Sequence, residues 1–147
     1  MKTIVVYSTK SGNTGKVACS IAQELNCKSV KLVDETDFSA ISFGDHDPIL
    51  GTWVRGGEPS PTMLKCLKQL NLPDGDRRFA LFLTWAGGGK SDILTFNRVK
   101  QILKNKKQNL LDEYFKCLGK TFGLARRDHP NQQDLSNAVA WAKKICT

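Results

Sequence analysis

The chain has 147 residues, of which 40% are hydrophobic and 24% charged, and a formal net charge of +8. The length suits one domain, residues 1–147, and the composition excludes a disordered or fibrous chain. No apolar run approaches the roughly eighteen residues of a membrane-spanning helix, and Met1-Lys2 leads into too short an apolar stretch for a secretory signal. A soluble, cytoplasmic protein without membrane insertion is expected.

Thr3-Ile4-Val5-Val6-Tyr7 is an unbroken β-branched and aromatic run, the pattern of a parallel strand covered on both faces. Beyond a polar loop, Val17, Ala18, Ile21, Ala22 and Leu25 recur at helical spacing, and Asn26 supplies a stop. A second strand is expected over Val30 to Val33. A short third one is expected at Pro48-Ile49-Leu50-Gly51, with Pro48 tolerable only at its beginning. Met63, Leu64, Leu67 and Leu70 mark an amphipathic helix, and Asn71 to Asp76 links it to a strong fourth strand over Arg78 to Leu83. Ser91 is placed to cap a helix reaching about Asn105 that buries Ile93, Val99, Ile102 and Leu103 and exposes Arg98, Lys100, Lys104, Lys106 and Lys107. Tyr114 to Leu118 reads as a fifth strand and Gln132 to Ile145 as a final helix. Strands alternating with helices predict right-handed crossovers and a parallel sheet with helices on both faces, whose ligands sit beyond the carboxyl ends of the strands.

The loop Ser8-Thr9-Lys10-Ser11-Gly12-Asn13-Thr14-Gly15 joins the first strand to the first helix. Free amides and the positive end of a helix dipole favour an anion there. Thr9, Ser11 and Thr14 add hydroxyls, and Gly12 lets the backbone close in. A hydroxyl-rich cap with no ligand has the same composition, so the residues alone leave both readings open. Gly12 and Gly15 do not supply the G-x-G-x-x-G of a dinucleotide fold. Gly87-Gly88-Gly89-Lys90-Ser91 fails the triphosphate-loop spacing, because Thr84 stands where the first glycine belongs.

Thr9-Lys10-Ser11-Gly12-Asn13-Thr14 after an apolar strand resembles the T/S-x-T/S-G-x-T signature of flavodoxins. Leu50-Gly51-Thr52-Trp53-Val54, Ala80 to Thr84, Lys116-Cys117-Leu118-Gly119-Lys120 and His129-Pro130-Asn131 resemble further short segments of that family, in its order. The resemblance implies a three-layer α/β sandwich with a five-stranded parallel sheet in the order 2-1-3-4-5. It also implies one non-covalent flavin mononucleotide (FMN), with its phosphate held by Ser8, Thr9, Lys10, Ser11, Gly12, Asn13 and Thr14. It places the flavin ring between the loops after strands three and four, which are Thr52, Trp53, Val54, Arg55 and Gly56 on one side and Thr84, Trp85, Ala86 and Gly87 on the other. Trp53 and Trp85 can each present a face or edge to the ring, though each also fits a plain core position. Trp141 reads as packing. Gly56 and Gly57 offer the flexible backbone that flavodoxins place beside the flavin, and Arg55 a charge near it.

The resemblance thus implies an FMN-dependent electron carrier serving a partner oxidoreductase, with no catalytic side chain of its own. Two alternatives stand beside it. One is an FMN-dependent reductase or dehydrogenase acting directly on a small substrate such as a quinone or tetrapyrrole, and the other a flavodoxin-like accessory module binding an acidic partner. His46 and His129 lack neighbours that would build a triad or metal site, and Cys19, Cys27, Cys66, Cys117 and Cys146, with no CxxC pair, read as reduced packing residues.

The charge departs from ordinary flavodoxins, which are acidic. It implies an acidic docking face on the redox partner, met by Arg98 to Lys107, Arg126-Arg127 or Lys143-Lys144, and a less negative potential for the final reduction. A nucleic-acid role is disfavoured, since the basic clusters lack interleaved aromatics.

Overall fold

The computed structural model describes residues 2–71, 77–119 and 129–146; most of the expected 71–76 connection, Lys120 and the Arg126-Arg127 pair lie outside them. The strands are β1 (Thr3–Tyr7), β2 (Lys28–Lys31), β3 (Asp47–Arg55), β4 (Glu58–Pro59), β5 (Arg78–Trp85), β6 (Asn109–Leu110) and β7 (Phe115–Leu118). The helices are α1 (Asn13–Leu25), α2 (Pro61–Gln69), α3 (Ser91–Asn105) and α4 (Gln132–Ile145). β2, β1, β3 and β5 lie side by side, and β6 and β7 both pair with β5, all in parallel. β6 and β7 are therefore two pieces of one edge position, and the five positions follow the expected order 2-1-3-4-5.

The two faces of the sheet explain its unbroken apolar runs. Ile4, Val6, Leu50, Phe79, Leu81 and Leu83 pack with Met63 and Leu67 of α2 and Phe96, Val99 and Leu103 of α3. The alternate residues Val5, Tyr7, Ile49, Ala80 and Phe82 pack with Val17 and Ile21 of α1 and Ala138, Trp141 and Ala142 of α4. Cys66 and Cys117 are buried among these residues, and burial pushes both thiols up to about 12. At the end of α1, Asn26 takes the left-handed conformation expected of a stop.

Four sequence expectations are corrected. β2 starts at Lys28 and ends at Lys31, because at this sheet edge its pairing with Ile4 to Tyr7 outweighs its apolar content; Leu32 is buried just beyond it and Val33 is exposed. β3 runs nine residues instead of four. Gly51 does not break it, since a Cβ there would stand 2.1 Å from Cζ of Phe82, so the glycine makes room for a neighbouring ring. The strand continues through Trp53, Val54 and Arg55 to a two-residue turn, Gly56-Gly57, with φ of 58° and 81°, and returns antiparallel as β4. In α3, Lys90 takes the cap position without a side-chain cap bond, and Ser91 is already helical. Ile93 is 38% exposed, because Asp92, Thr95, Phe96 and Val99 set the buried face of that helix.

The Gly51–Phe82 contact gives a test of the sheet. Gly51→Ala is expected to lower unfolding free energy by about 1–3 kcal/mol through overpacking. Combined with Phe82→Leu it should cost less than the sum of the two single changes in urea unfolding; strict additivity would contradict the contact.

Candidate functional site

β1 pairs with β2 on one side and β3 on the other, so the chain leaves β1 at the point where the strand order reverses. At such a point the loops diverge and open a crevice beyond the strand ends. Ser8 N–H donates to the Gly51 carbonyl at 3.0 Å, which continues the pairing of β1 with β3 to the start of the loop. Gly12 stands at φ 90°, and its N–H donates to Thr9 Oγ1 at 3.1 Å, closing a tight turn before α1. A Cβ on Gly12 would meet nothing within 4 Å, so the turn needs glycine for its backbone angle and not for space.

α1 then starts without a side-chain cap hydrogen bond and with no acidic residue in its first turn. Its leading amides and the positive end of its dipole are left to whatever lies in front of them. The hydroxyls nearby each accept one hydrogen bond and donate none among the described residues. Thr9 Oγ1 accepts from Gly12, and Ser11 Oγ accepts from Asn13 Nδ2 at 3.1 Å. Thr14 is engaged differently, its hydroxyl paired with Thr84 Oγ1 at 2.8 Å, which ties α1 to the end of β5. Asn13 is 6% exposed, and its Oδ1 has no hydrogen-bond partner among the described residues. A buried acceptor left so costs about 1–3 kcal/mol until something donates to it.

In front of this loop opens a cavity of about 580 Å³, within the range of cofactor sites. Thr9, Lys10, Ser11, Asn13 and Thr14 line it from the first loop, Trp53, Val54 and Arg55 from β3, and Thr84, Trp85 and Ala86 from the end of β5. Five expected residues lie off the lining. Ser8 and Thr52 are buried behind the wall, where the Ser8 hydroxyl pairs with Ser60 Oγ at 2.5 Å and Thr52 Oγ1 accepts from Ser60 N–H at 2.9 Å. Gly12, Gly56 and Gly87 shape turns, and Gly57 is closed against Leu94, whose Cβ lies 3.2 Å from where a Cβ on Gly57 would stand. Trp53, Val54 and Arg55 reach the cavity as strand residues and not from a loop.

The lining also includes Gly119, which sequence reasoning missed as a site residue. A Cβ there would come within 3.1 Å of Asn13 Nδ2, so the glycine lets Asn13 stand where it does. Its signal was position, one residue past the fifth strand.

Lys10 and Arg55 line the cavity, and among the described residues no carboxylate does. The Lys10 ammonium sits 5.3 Å from the centre of the Trp53 ring. On the other side, Lys116 Nζ stands 4.9 Å from the centre of the Trp85 ring and donates to Asp92 Oδ2 at 2.7 Å. The Tyr114 hydroxyl donates to the same oxygen at 2.9 Å, and the Tyr114 ring stacks on Phe96. The Lys116 hydrogen bond, followed by that of Tyr114, holds the Asp92 carboxyl below the usual carboxylate range. Burial, reinforced by Asp92, pushes the Tyr114 phenol up to about 12. The histidines lie elsewhere: His46 Nδ1 meets the Phe43 carbonyl at 3.0 Å, and His129 Nδ1 meets Asp134 at 2.7 Å. Trp141 is buried against Phe115, as packing requires.

A family model described as a flavodoxin domain matches residues 4–125. An uncharacterized protein of Methanocaldococcus jannaschii is 28% identical, with 99% of this chain and 98% of that protein covered. The flavodoxin-like domain-containing protein BilS of Clostridioides difficile is 29% identical over 82% of this chain and 67% of its own length. Among solved structures, oxidised Flavodoxin 2 of Bacillus cereus superposes with a TM-score of 0.76 at 19% identity, covering 99% of this chain and 98% of that one.

The Asp92 cluster sets a pH dependence. The folded-state pKa lies below the unfolded value of about 3.9, so the unfolded chain binds more protons in acid. The stabilisation is present above about pH 4 and is lost as pH falls through the folded value. Asp92→Asn should therefore lower Tm most near neutrality, with the gap to wild type closing below about pH 4. A gap that stays constant down to about pH 3 would contradict the pairing.

Proposed function

The chain belongs to the flavodoxin family, and from that premise we propose that it binds one FMN in the cavity beyond β1, β3 and β5 and carries electrons for a partner oxidoreductase. The observation that carries this reading is the uncapped first turn of α1, faced by two hydroxyls that donate to none of the described residues and by a buried acceptor that receives no donor from them. A phosphate needs donors, and the α1 amides, Thr9, Ser11 and Lys10 provide them. A phosphate dianion has no proton to give Asn13 Oδ1, but the ribityl hydroxyls of FMN have. A ligand combining an anion, a polyol and a flat ring matches the three kinds of lining on this cavity.

Trp53 and Trp85 would flank the ring, and Val54, Arg55, Thr84 and Ala86 would complete the walls. Ser8 and Thr52 act indirectly, since both hold Ser60 and so keep the first loop and β3 in fixed relation to α2. When bound, FMN supplies the redox chemistry; the protein sets its position and its electrostatic surroundings. Residues 1–147 act as one domain, soluble and cytoplasmic.

The electron partner has an acidic docking face that meets the mouth of the cavity. Ion pairs take up part of the charge of the expected helix clusters, while Lys104 stays exposed and outside any ion pair among the described residues. Arg98 pairs with Glu58 at 3.2 Å, Lys100 with Asp112 at 2.7 Å and Lys143 with Glu24 at 3.7 Å. Lys10 and Arg55 are exposed and belong to no ion pair among the described residues. Their charge is left for a partner or a ligand.

FMN titration, followed by visible absorbance and quenching of tryptophan fluorescence, tests the reading. Stoichiometric binding is expected. Thr9→Ala and Ser11→Ala should each weaken binding about tenfold, as the loss of a charge-assisted hydrogen bond requires. No binding with FMN at about 50 μM, where even a weak cofactor site fills, would contradict it.

A further inference from the structure

Lys116 does not line the cavity, yet its ammonium rests against Trp85, which does. The cation therefore reaches the indole from outside the space a ligand would fill. Its place is fixed from several sides. Asp92 Oδ2 accepts from Lys116 at 2.7 Å and from Tyr114 at 2.9 Å, Asp92 is 6% exposed in the first turn of α3, and Tyr114 stacks on Phe96 of the same helix at 4.7 Å between ring centres. A lysine on an open surface spreads over many rotamers and is screened by salt. This one, although its side chain is 46% exposed, has its ammonium tied to a carboxylate that is itself buried.

We infer that Lys116 sets the redox preference of the site, fixing the Trp85 wall and placing a positive charge behind it, so that reduced, anionic flavin is favoured over oxidised flavin. The inference rests on the flavin-binding reading above. A cation on an indole draws on the ring's π density, which weakens its attraction for an electron-poor oxidised flavin. The same cation attracts the negative charge that reduction adds, and does so more strongly in a partly desolvated site than in water. Both effects favour the reduced form. By linkage, any preference between the two forms is a shift in potential of equal free energy. Asp92 offsets part of the lysine's charge. Removing Lys116 alone leaves that carboxylate beside the site with Tyr114 but without its cation, whereas removing both leaves no charge behind Trp85.

The test is the ratio of FMN dissociation constants, oxidised over dithionite-reduced, together with the midpoint potential, for wild type, Lys116→Met, Lys116→Arg and the double variant Lys116→Met/Asp92→Asn. In Lys116→Met the ratio is expected to fall about tenfold, which is a potential about 30 mV more negative for the two-electron couple. Lys116→Arg keeps the charge and the stacking, so its ratio should stay within about twofold of wild type. The double variant should fall between wild type and Lys116→Met. Having no unpaired carboxylate, it carries the test should Lys116→Met fail to fold. A purely structural lysine would weaken both redox forms alike. An unchanged ratio in the foldable variants, or Lys116→Arg falling as far as Lys116→Met, overturns the inference and leaves the flavin site standing. Wild type that binds neither form overturns the flavin site itself and the inference with it.

Discussion

The first turn of α1 begins with Gly12 at φ 90°, no side-chain cap and no carboxylate, directly in front of a cavity lined by Lys10 and Arg55. Helices ordinarily satisfy their leading amides with a side chain of their own, as α2 does through Ser60 and α4 through Asn131 and Asp134, whereas α3 lacks such a cap but carries Asp92 in its first turn. α1 leaves that demand to something outside the helix. The rest of the site serves this opening. Thr9 and Ser11 each accept one hydrogen bond, from Gly12 and Asn13, and donate none among the described residues, while Gly119 gives Asn13 the space to stand beside them.

The sheet supplies the stiffness that such an arrangement needs. β1 is buried on both faces, its register against β3 sets Tyr7 beside Gly51, and the register of β3 against β5 sets Trp53 beside Thr84. The two tryptophan walls are therefore fixed by ladder hydrogen bonds and not by loop conformation. Thr14 with Thr84 ties the helix that presents the amides to the strand that presents Trp85. The loop before α1 and the tryptophan walls are held as one unit.

Much of this was legible in the sequence because it follows from burial. Thr3–Tyr7 and Gln132–Ile145 have the expected bounds, since one is apolar throughout and the other has a capping box and a clear helical period. The length of β3 was hidden because Gly51 and Thr52 interrupt its apolar run. The reason they are tolerated, the Phe82 ring and Ser60, lies elsewhere in the chain. Ile93 looked like core because it is apolar at helical spacing, whereas the inward place in that turn is held by Asp92, whose partners Tyr114 and Lys116 lie more than twenty residues away. The loop at Thr9 to Thr14 stood out because its hydroxyls and Gly12 lie together in the sequence. The contacts of Gly119 with Asn13 and of Lys116 with Trp85 are ones that no local pattern announces.

The central claim is that the open end of α1 binds a phosphate and that this phosphate anchors the flavin. It is tested most directly by comparing FMN with riboflavin, which has the same ring and ribityl chain and no phosphate, in parallel titrations of the same protein. The structure predicts that FMN binds at least about a hundredfold more tightly, the work of two or more charge-assisted hydrogen bonds and the helix dipole. Riboflavin binding within about threefold of FMN would show that the ring alone carries the affinity and would contradict the role assigned to α1.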